Sequence, residues 1–251
     1  MKGRRVLVTG MGGELGSLVA SMAERTEWAG DILGFDVDPP RRNLQRSRFV
    51  RVGAHETERM TELVAGFNPH VILHVGVWEP HARLSTEAAQ ECTESVARAV
   101  FNAAHSATAL ETAVVRSGIE IYGSHTYSPN IAVETSPVDP TTTYGHMCAT
   151  IEQQATDLRI ARGINVCTLR LAPVLGAHVP SPLGRLMRLP VVPYHGLYNP
   201  VFSVVEDHDA AHAFMLGAER DADGVVNIVA NGAISMLRAL TMGRRIPAPA
   251  F

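Results

Sequence analysis

The chain has 251 residues, 46% of them hydrophobic, with 22 Lys plus Arg against 25 Asp plus Glu. That length can bury a substantial core, as one domain or as one domain with a small appendage. The near balance of charge, without a basic run interleaved with aromatics, argues against a nucleic-acid partner, and no apolar stretch is long enough to span a membrane.

In chain order, Val6, Leu7 and Val8 form a short apolar run that suits a buried parallel strand. It breaks at Thr9 and Gly10 into a glycine turn, Thr9-Gly10-Met11-Gly12-Gly13-Glu14-Leu15-Gly16, followed by a helical stretch from Glu14 to Arg25. A strand, a glycine loop and a helix in that order present free helix N–H groups and a helix dipole to a pyrophosphate. Gly10 turns the chain, Gly13 admits the phosphates, and Gly16 lets helix and strand pack. A second strand, Asp31 to Asp36, ends in the acid that a dinucleotide fold uses for the adenosine ribose, with Val37 beside it. Asp36 and Asp38 both repel a 2′-phosphate, so the expected cofactor is NAD rather than NADP, although Arg41 and Arg42 lie close by in sequence.

Strand and helix patterns then alternate as in a doubly wound sheet. The expected elements are a strand over Arg48–Val52, a helix over Thr57–Phe67, a strand over Val71–Val75 and a long helix over Thr86–His105. A strand over Thr112–Ser117 follows, then a loop rich in Pro, Ser and Thr over Ser124–Thr143, a helix over Tyr144–Arg162 and a strand over Ile164–Leu171. Beyond it, Ala177–Pro200 reads as an irregular lid, Glu206–Arg220 as a helix, Val225–Val229 as a strand and Ser235–Thr241 as a helix. The fold class is α/β, a Rossmann-type sheet over residues 1–176 with a small C-terminal substrate region over 177–251 that partly returns to the sheet. Cys92, Cys148 and Cys167 are isolated, without the spacing of a disulfide framework or zinc site. The N-terminal apolar run is too short for a signal peptide, and a cytoplasmic location is expected.

The sequence resembles the extended branch of the short-chain dehydrogenase/reductase superfamily, the epimerase/dehydratase type that acts mostly on sugar nucleotides. The resemblance rests on the glycine turn from Thr9 to Gly16, Asp36, and the segments His74–Val77, Arg116–Gly123, Leu169–Gly176 and Phe202–Ala211, with the catalytic-helix tyrosine at Tyr144. It implies a cofactor site that includes Thr9, Gly10, Gly12, Gly13, Glu14, Leu15, Gly16, Asp36, Val37, His74, Val75, Gly76, Tyr144, Cys148 and Leu171. It also implies substrate contacts from Trp78, Arg185 and Tyr194, and homodimerisation through the two long helices. The expected partner is a small molecule, such as a nucleoside-diphosphate sugar.

The sequence departs from the family pattern at two catalytic positions. Cys148 stands where the family has a lysine four residues after the tyrosine, and the chain's only lysine is Lys2. In the family that lysine holds ribose hydroxyls and favours the phenolate. The catalytic serine position is Gly118, with Ser117 one place earlier and turned to the other side of the strand. The candidate catalytic set is therefore Tyr144, Ser117 and Glu120, the last at the place of the dehydratase glutamate or a solvated loop carboxylate; Arg116 reads as a cation near the nicotinamide or a surface salt-bridge partner, and His146 as such a cation or a cap of the helix start. His208 and His212 have i, i+4 spacing but lack a third ligand in a recognisable metal motif, so no metal is expected. Arg185, Arg188, Tyr194 and Tyr198 could meet a phosphate or stack on a base, or be surface groups of a packed connection. Three functional readings remain at this point: an NAD-dependent epimerase, dehydratase or oxidoreductase; a catalytically degenerate NAD(P)-binding protein that acts as a redox sensor or interaction partner; and, third, a structural remnant that binds no cofactor.

Overall fold

The computed structural model describes residues 3–78, 84–124, 132–179, 181–194 and 199–249. Its first half alternates strand and helix: β1 (Arg4–Thr9), α1 (Glu14–Ala23), β2 (Ala29–Asp36), β3 (Ser47–Arg51), α2 (Thr57–Phe67), β4 (Val71–His74), α3 (Thr86–Ala104) and β5 (Thr112–Gly118). A short 3-10 helix (Ile119–Tyr122) leads toward α4 (Thr143–Arg162), then β6 (Asn165–Leu171) and β7 (Val174–Leu175). The remainder holds α5 (Pro182–Leu186), β8 (Val191–Tyr194), β9 (Val201–Phe202), β10 (Val205–Glu206), α6 (Asp207–Glu219), β11 (Gly224–Ile228), β12 (Ile234–Ser235), α7 (Met236–Met242) and β13 (Ile246–Pro249).

Seven strands form one parallel sheet in the order β11-β6-β5-β4-β1-β2-β3. The strand order reverses between β1 and β4, and in such sheets the crevice beyond the strand ends at that point is where ligands sit. The alternation of side chains splits the core into two layers. Val6, Val8, Leu73 and Val114 pack with Leu18 and Val19 of α1 and Phe214 of α6, whereas Leu7, Ile72 and Val115 pack with Val64 of α2, Val100 of α3 and Ile151 of α4. Val6, Leu7 and Val8 are all 0% exposed, which explains why β1 reads as an unbroken apolar run.

The boundaries follow local chemistry. The α1 helix ends at Ala23, two residues before the expected Arg25, and the Glu24 carboxylate accepts N–H bonds from Gln45, Arg46 and Ser47. Thr142 caps α4 by accepting from the Gly145 N–H at 3.0 Å. The expected irregular lid over 177–200 instead contains α5 and β8, and β8 is paired in parallel with β13. That pairing joins segments more than fifty residues apart, which local periodicity does not show. Among the described residues, no helix is long and apolar enough to cross a membrane.

Candidate functional site

The glycine turn lies at the switch point. Gly10 has φ of +72°, and a Cβ there would lie 2.4 Å from the Gly76 Cα, so β1 and β4 can meet only with glycine at this position. A Cβ on Gly16 would lie 1.9 Å from the Gly10 carbonyl oxygen, so that glycine is required for α1 to approach the turn. Gly13 is different. It is the N-cap of α1 in extended conformation, is exposed, and a Cβ there would make only an ordinary contact, 3.5 Å from the Gly10 oxygen. The chain's own packing does not demand glycine at 13; the cradle it leaves at the helix N-terminus suits a phosphate group.

A cleft of about 610 Å³ opens over this turn. It is lined by Gly10, Gly12, Gly13, Glu14, Leu15 and Gly16, by Asp36, Val37 and Asp38 after β2, by Val75, Gly76, Val77 and Trp78 after β4, and by Arg116. The Asp36 carboxylate accepts from the Gly12 N–H at 2.9 Å and the Val37 N–H at 2.6 Å. Burial raises its pKa above the usual carboxylate range, and the N–H donors oppose that shift. Arg41 also lines the cleft and donates to the Gly12 carbonyl at 3.3 Å.

A second cleft of about 480 Å³ adjoins the ends of β5 and β6. It is lined by Arg116, Glu120, Tyr144, Leu171, Ala172, Pro173 and Val174, with hydroxyls from Thr86, Thr142, Thr143 and Ser181. Arg116 is common to both clefts, is 7% exposed, and its Nη2 donates to the Tyr144 hydroxyl at 3.4 Å, a long hydrogen bond. Gly145 allows this arrangement, because a Cβ there would lie 2.6 Å from the Glu120 carbonyl oxygen and push α4 away. At Gly118 a Cβ would fall 2.7 Å from Glu120 Oε2 and 2.9 Å from Tyr144 Cε1, so a serine side chain has no room in this arrangement.

Several predicted residues line neither cleft. Ser117 is fully buried, and its hydroxyl donates to Glu152 Oε1 at 2.6 Å. Cys148 is also fully buried; burial pushes its thiol up to about 12, with the Glu120 charge adding and the Arg116 charge opposing. It is a neutral packing group. Thr9 and His74 lie beneath the turn, with Thr9 Oγ1 2.9 Å from His74 Nδ1 and the imidazole tilted against Phe101. Trp78 lines the dinucleotide-sized cleft rather than the smaller one. Arg185 is exposed on α5, and Tyr194 is half-buried on β8. Arg188 donates to the carbonyls of Gly176 and Ala177, and Tyr198 lies outside the described residues. His146 is exposed. Glu206, Asp207 and His208 cluster at the exposed start of α6, where the Glu206 carboxylate accepts from the His208 and Asp209 N–H groups as a helix cap; His212 is not in that group.

Sequence reasoning missed the buried group behind Tyr144. Arg170 Nε and Nη2 donate to Glu152 at 2.9 and 2.7 Å, Arg170 Nη1 donates to the Tyr122 hydroxyl at 2.8 Å, and Tyr122 donates to Asn227 Oδ1 at 2.7 Å. Burial opposes the Arg170 charge, but the hydrogen bonds it donates to Glu152 and Tyr122 outweigh it and hold the guanidinium protonated. This group joins the 3-10 helix, α4, β6 and β11. Its polar members come from four elements, so no single stretch signals it.

The sequence model of the NAD dependent epimerase/dehydratase family matches residues 6–192. The chain belongs to that family. Among curated proteins it is 24% identical, over 97% of its own length and 67% of theirs, to uncharacterized proteins of Mycobacterium tuberculosis and Mycobacterium bovis. Among solved structures it is similar to MoeE5 in complex with UDP-glucose and NAD (TM-score 0.80, 21% identity, 98% of this chain and 85% of that one). It is also similar to the Thermus thermophilus UDP-glucose 4-epimerase in complex with NAD (TM-score 0.79, 21% identity, with the same coverage). The Thermotoga maritima UDP-glucose 4-epimerase with UDP-glucose gives a TM-score of 0.81 at 17% identity, over 98% of this chain and 86% of that one. At these identities the structural likeness shows the fold: the parallel Rossmann-like sheet with a small C-terminal region that this epimerase/dehydratase member displays.

The buried histidine of this family member makes its stability depend on pH. Burial, aided by the Arg116 charge, pulls the His74 imidazole down to about 4. The folded state therefore holds the ring neutral, and its contribution is complete above the ordinary histidine value of ~6.5. As pH falls from there toward 4, the unfolded chain binds the proton first, and stability drops by about 3 kcal/mol in total. Chemical denaturation of wild type and His74→Asn across that range checks this: the acid-side loss should be steeper in wild type, and parallel curves would contradict it.

Proposed function

We propose that the chain binds NAD in the larger cleft and catalyses reversible oxidation at a secondary alcohol carbon of a sugar nucleotide held in the smaller one. Re-reduction from the opposite face would give net epimerisation. The observation that carries this reading is that the two clefts share Arg116, which hydrogen-bonds to Tyr144 in the lining of the smaller one. Bound NAD would supply the hydride acceptor and donor. Tyr144 would take the proton from the substrate hydroxyl as the carbonyl forms, and return it on re-reduction. Asp36 would accept from the ribose hydroxyls with the lone pairs left beyond its backbone bonds, and with Asp38 would disfavour a 2′-phosphate. Gly13 would let the pyrophosphate reach the α1 N-terminus. The sugar-nucleotide class is supported by the UDP-glucose complexes of the structural relatives.

Incubation with NAD and a panel of UDP- and dTDP-sugars, followed by proton NMR of the sugar ring, tests the reading. Appearance of a C4 epimer or an oxidised sugar supports it. An unchanged panel despite bound cofactor favours the second reading, a cofactor-binding protein without turnover, for which Gly118 and the buried neutral Cys148 are the specific support.

Gly13→Ala separates the cradle from the fold. The φ of −72° at this residue is open to alanine, and the poorer N-cap that alanine makes offsets its lower unfolded-state entropy, so stability should change by no more than about 1 kcal/mol. NAD affinity should fall about tenfold or more, because the methyl group occupies the phosphate's place. Thermal denaturation and a cofactor titration of the one variant check both halves.

A further inference from the structure

We propose that Arg116 controls the charge of Tyr144, its guanidinium stabilising the phenolate where the two clefts meet. This rests on the reading of Tyr144 as the proton-transfer group and names the device that makes it usable as a base.

The geometry singles out Arg116. It sits near the end of β5 and is almost completely enclosed, yet it is the charged side chain that lines both clefts. Its Nη2 donates to the Tyr144 oxygen at 3.4 Å, and a donor of fixed positive charge at that oxygen favours the phenolate over the phenol. Its field already acts on neighbours, opposing protonation of His74 and ionisation-resisting burial of Cys148.

The other described groups around Tyr144 do not supply that charge. From the 3-10 helix, Glu120 brings a carboxylate that works against the phenolate. Along α4, Cys148 is a neutral thiol, and Glu152 is neutralised by Arg170 and bound by Ser117. On β4, His74 is a neutral imidazole. Thr86 at the start of α3 and Leu171 at the end of β6 line the cleft without charge. Among the described residues, the phenol oxygen thus has the Arg116 cation within hydrogen-bond reach while the Glu120 carboxylate lines the same cleft, and the cation prevails. A proton leaving a substrate hydroxyl would pass to the phenolate oxygen, and the Arg116 hydrogen bond would loosen as the phenol forms.

Tyr144 ionisation can be followed without cofactor or substrate by NMR of protein labelled at the tyrosine Cζ. The chain has five tyrosines, and the spectrum of Tyr144→Phe assigns the resonance. In wild type the Tyr144 midpoint should fall below the ~10 of a free phenol. Arg116→Gln should raise it by about one pH unit or more, and Arg116→Lys, which keeps a cation, should stay closer to wild type. An equal midpoint in wild type and Arg116→Gln overturns the proposal. Should Arg116→Gln fail to fold, a wild-type midpoint at or above ~10 overturns it by itself. A lowered midpoint together with an inert sugar-nucleotide panel would leave this inference standing while the enzymatic reading fails.

Discussion

Tyr144→Phe should lower sugar-nucleotide turnover by ~10²–10⁴-fold, the usual contribution of a positioned general acid-base group, while NAD affinity changes little. The hydroxyl removed belongs to a residue that lines the smaller cleft and receives the Arg116 hydrogen bond. The phenylalanine ring keeps the packing that Tyr144 makes against the cluster of Ile121, Tyr122 and Cys148. The effect should therefore fall on kcat with KM nearly unchanged, as for an interaction made mainly in the transition state. Steady-state kinetics beside a cofactor titration check it. Equal turnover in the two proteins would remove Tyr144 from the chemistry.

Arg170→Met should destabilise the fold by ~3–5 kcal/mol, the cost of leaving one member of a buried ion pair without its partner. Arg170 is 5% exposed at its side chain and Glu152 13%, so water cannot readily replace the lost donors. The same substitution removes the Arg170 donor to Tyr122 and the cation stacked over the Tyr122 ring, 4.9 Å from its centroid. In a chain of this length the thermal midpoint should fall on the order of 10 °C. The double variant Arg170→Met with Glu152→Gln should recover part of that loss, because no buried carboxylate is then left uncompensated. Calorimetric melts of the three proteins decide it; a midpoint unchanged in the single variant would show that the pair contributes nothing.

The legible and illegible parts of the sequence divide by the range of the interactions that set them. The glycine turn, the apolar β1 run and the helical spacing of apolar residues act within a few turns of chain, so β1, α1, β2 and the helix over Thr57–Phe67 are legible directly. Tyr144 was placed through resemblance, and Gly118 and Cys148 stood out because they depart from the same pattern. By contrast, the pairings of β9 with β12 and β8 with β13, and the Glu152–Arg170 pair, join distant segments whose residues carry no local mark. Ser117 shows the same limit. Its identity invites a catalytic role, but the structure commits its hydroxyl to Glu152 on α4. Trp78, Arg185 and Tyr194 were chosen for their chemistry, and where they lie depends on the path of loops that periodicity does not fix.

The account depends first on the larger cleft being a dinucleotide site, and the most direct test is a calorimetric titration of the purified protein with NAD. Saturable one-to-one binding in the micromolar range, with NADP markedly weaker, is the expected result. No heat of binding at millimolar NAD would contradict the account, because neither Asp36 nor the Gly13 cradle would then be holding a dinucleotide.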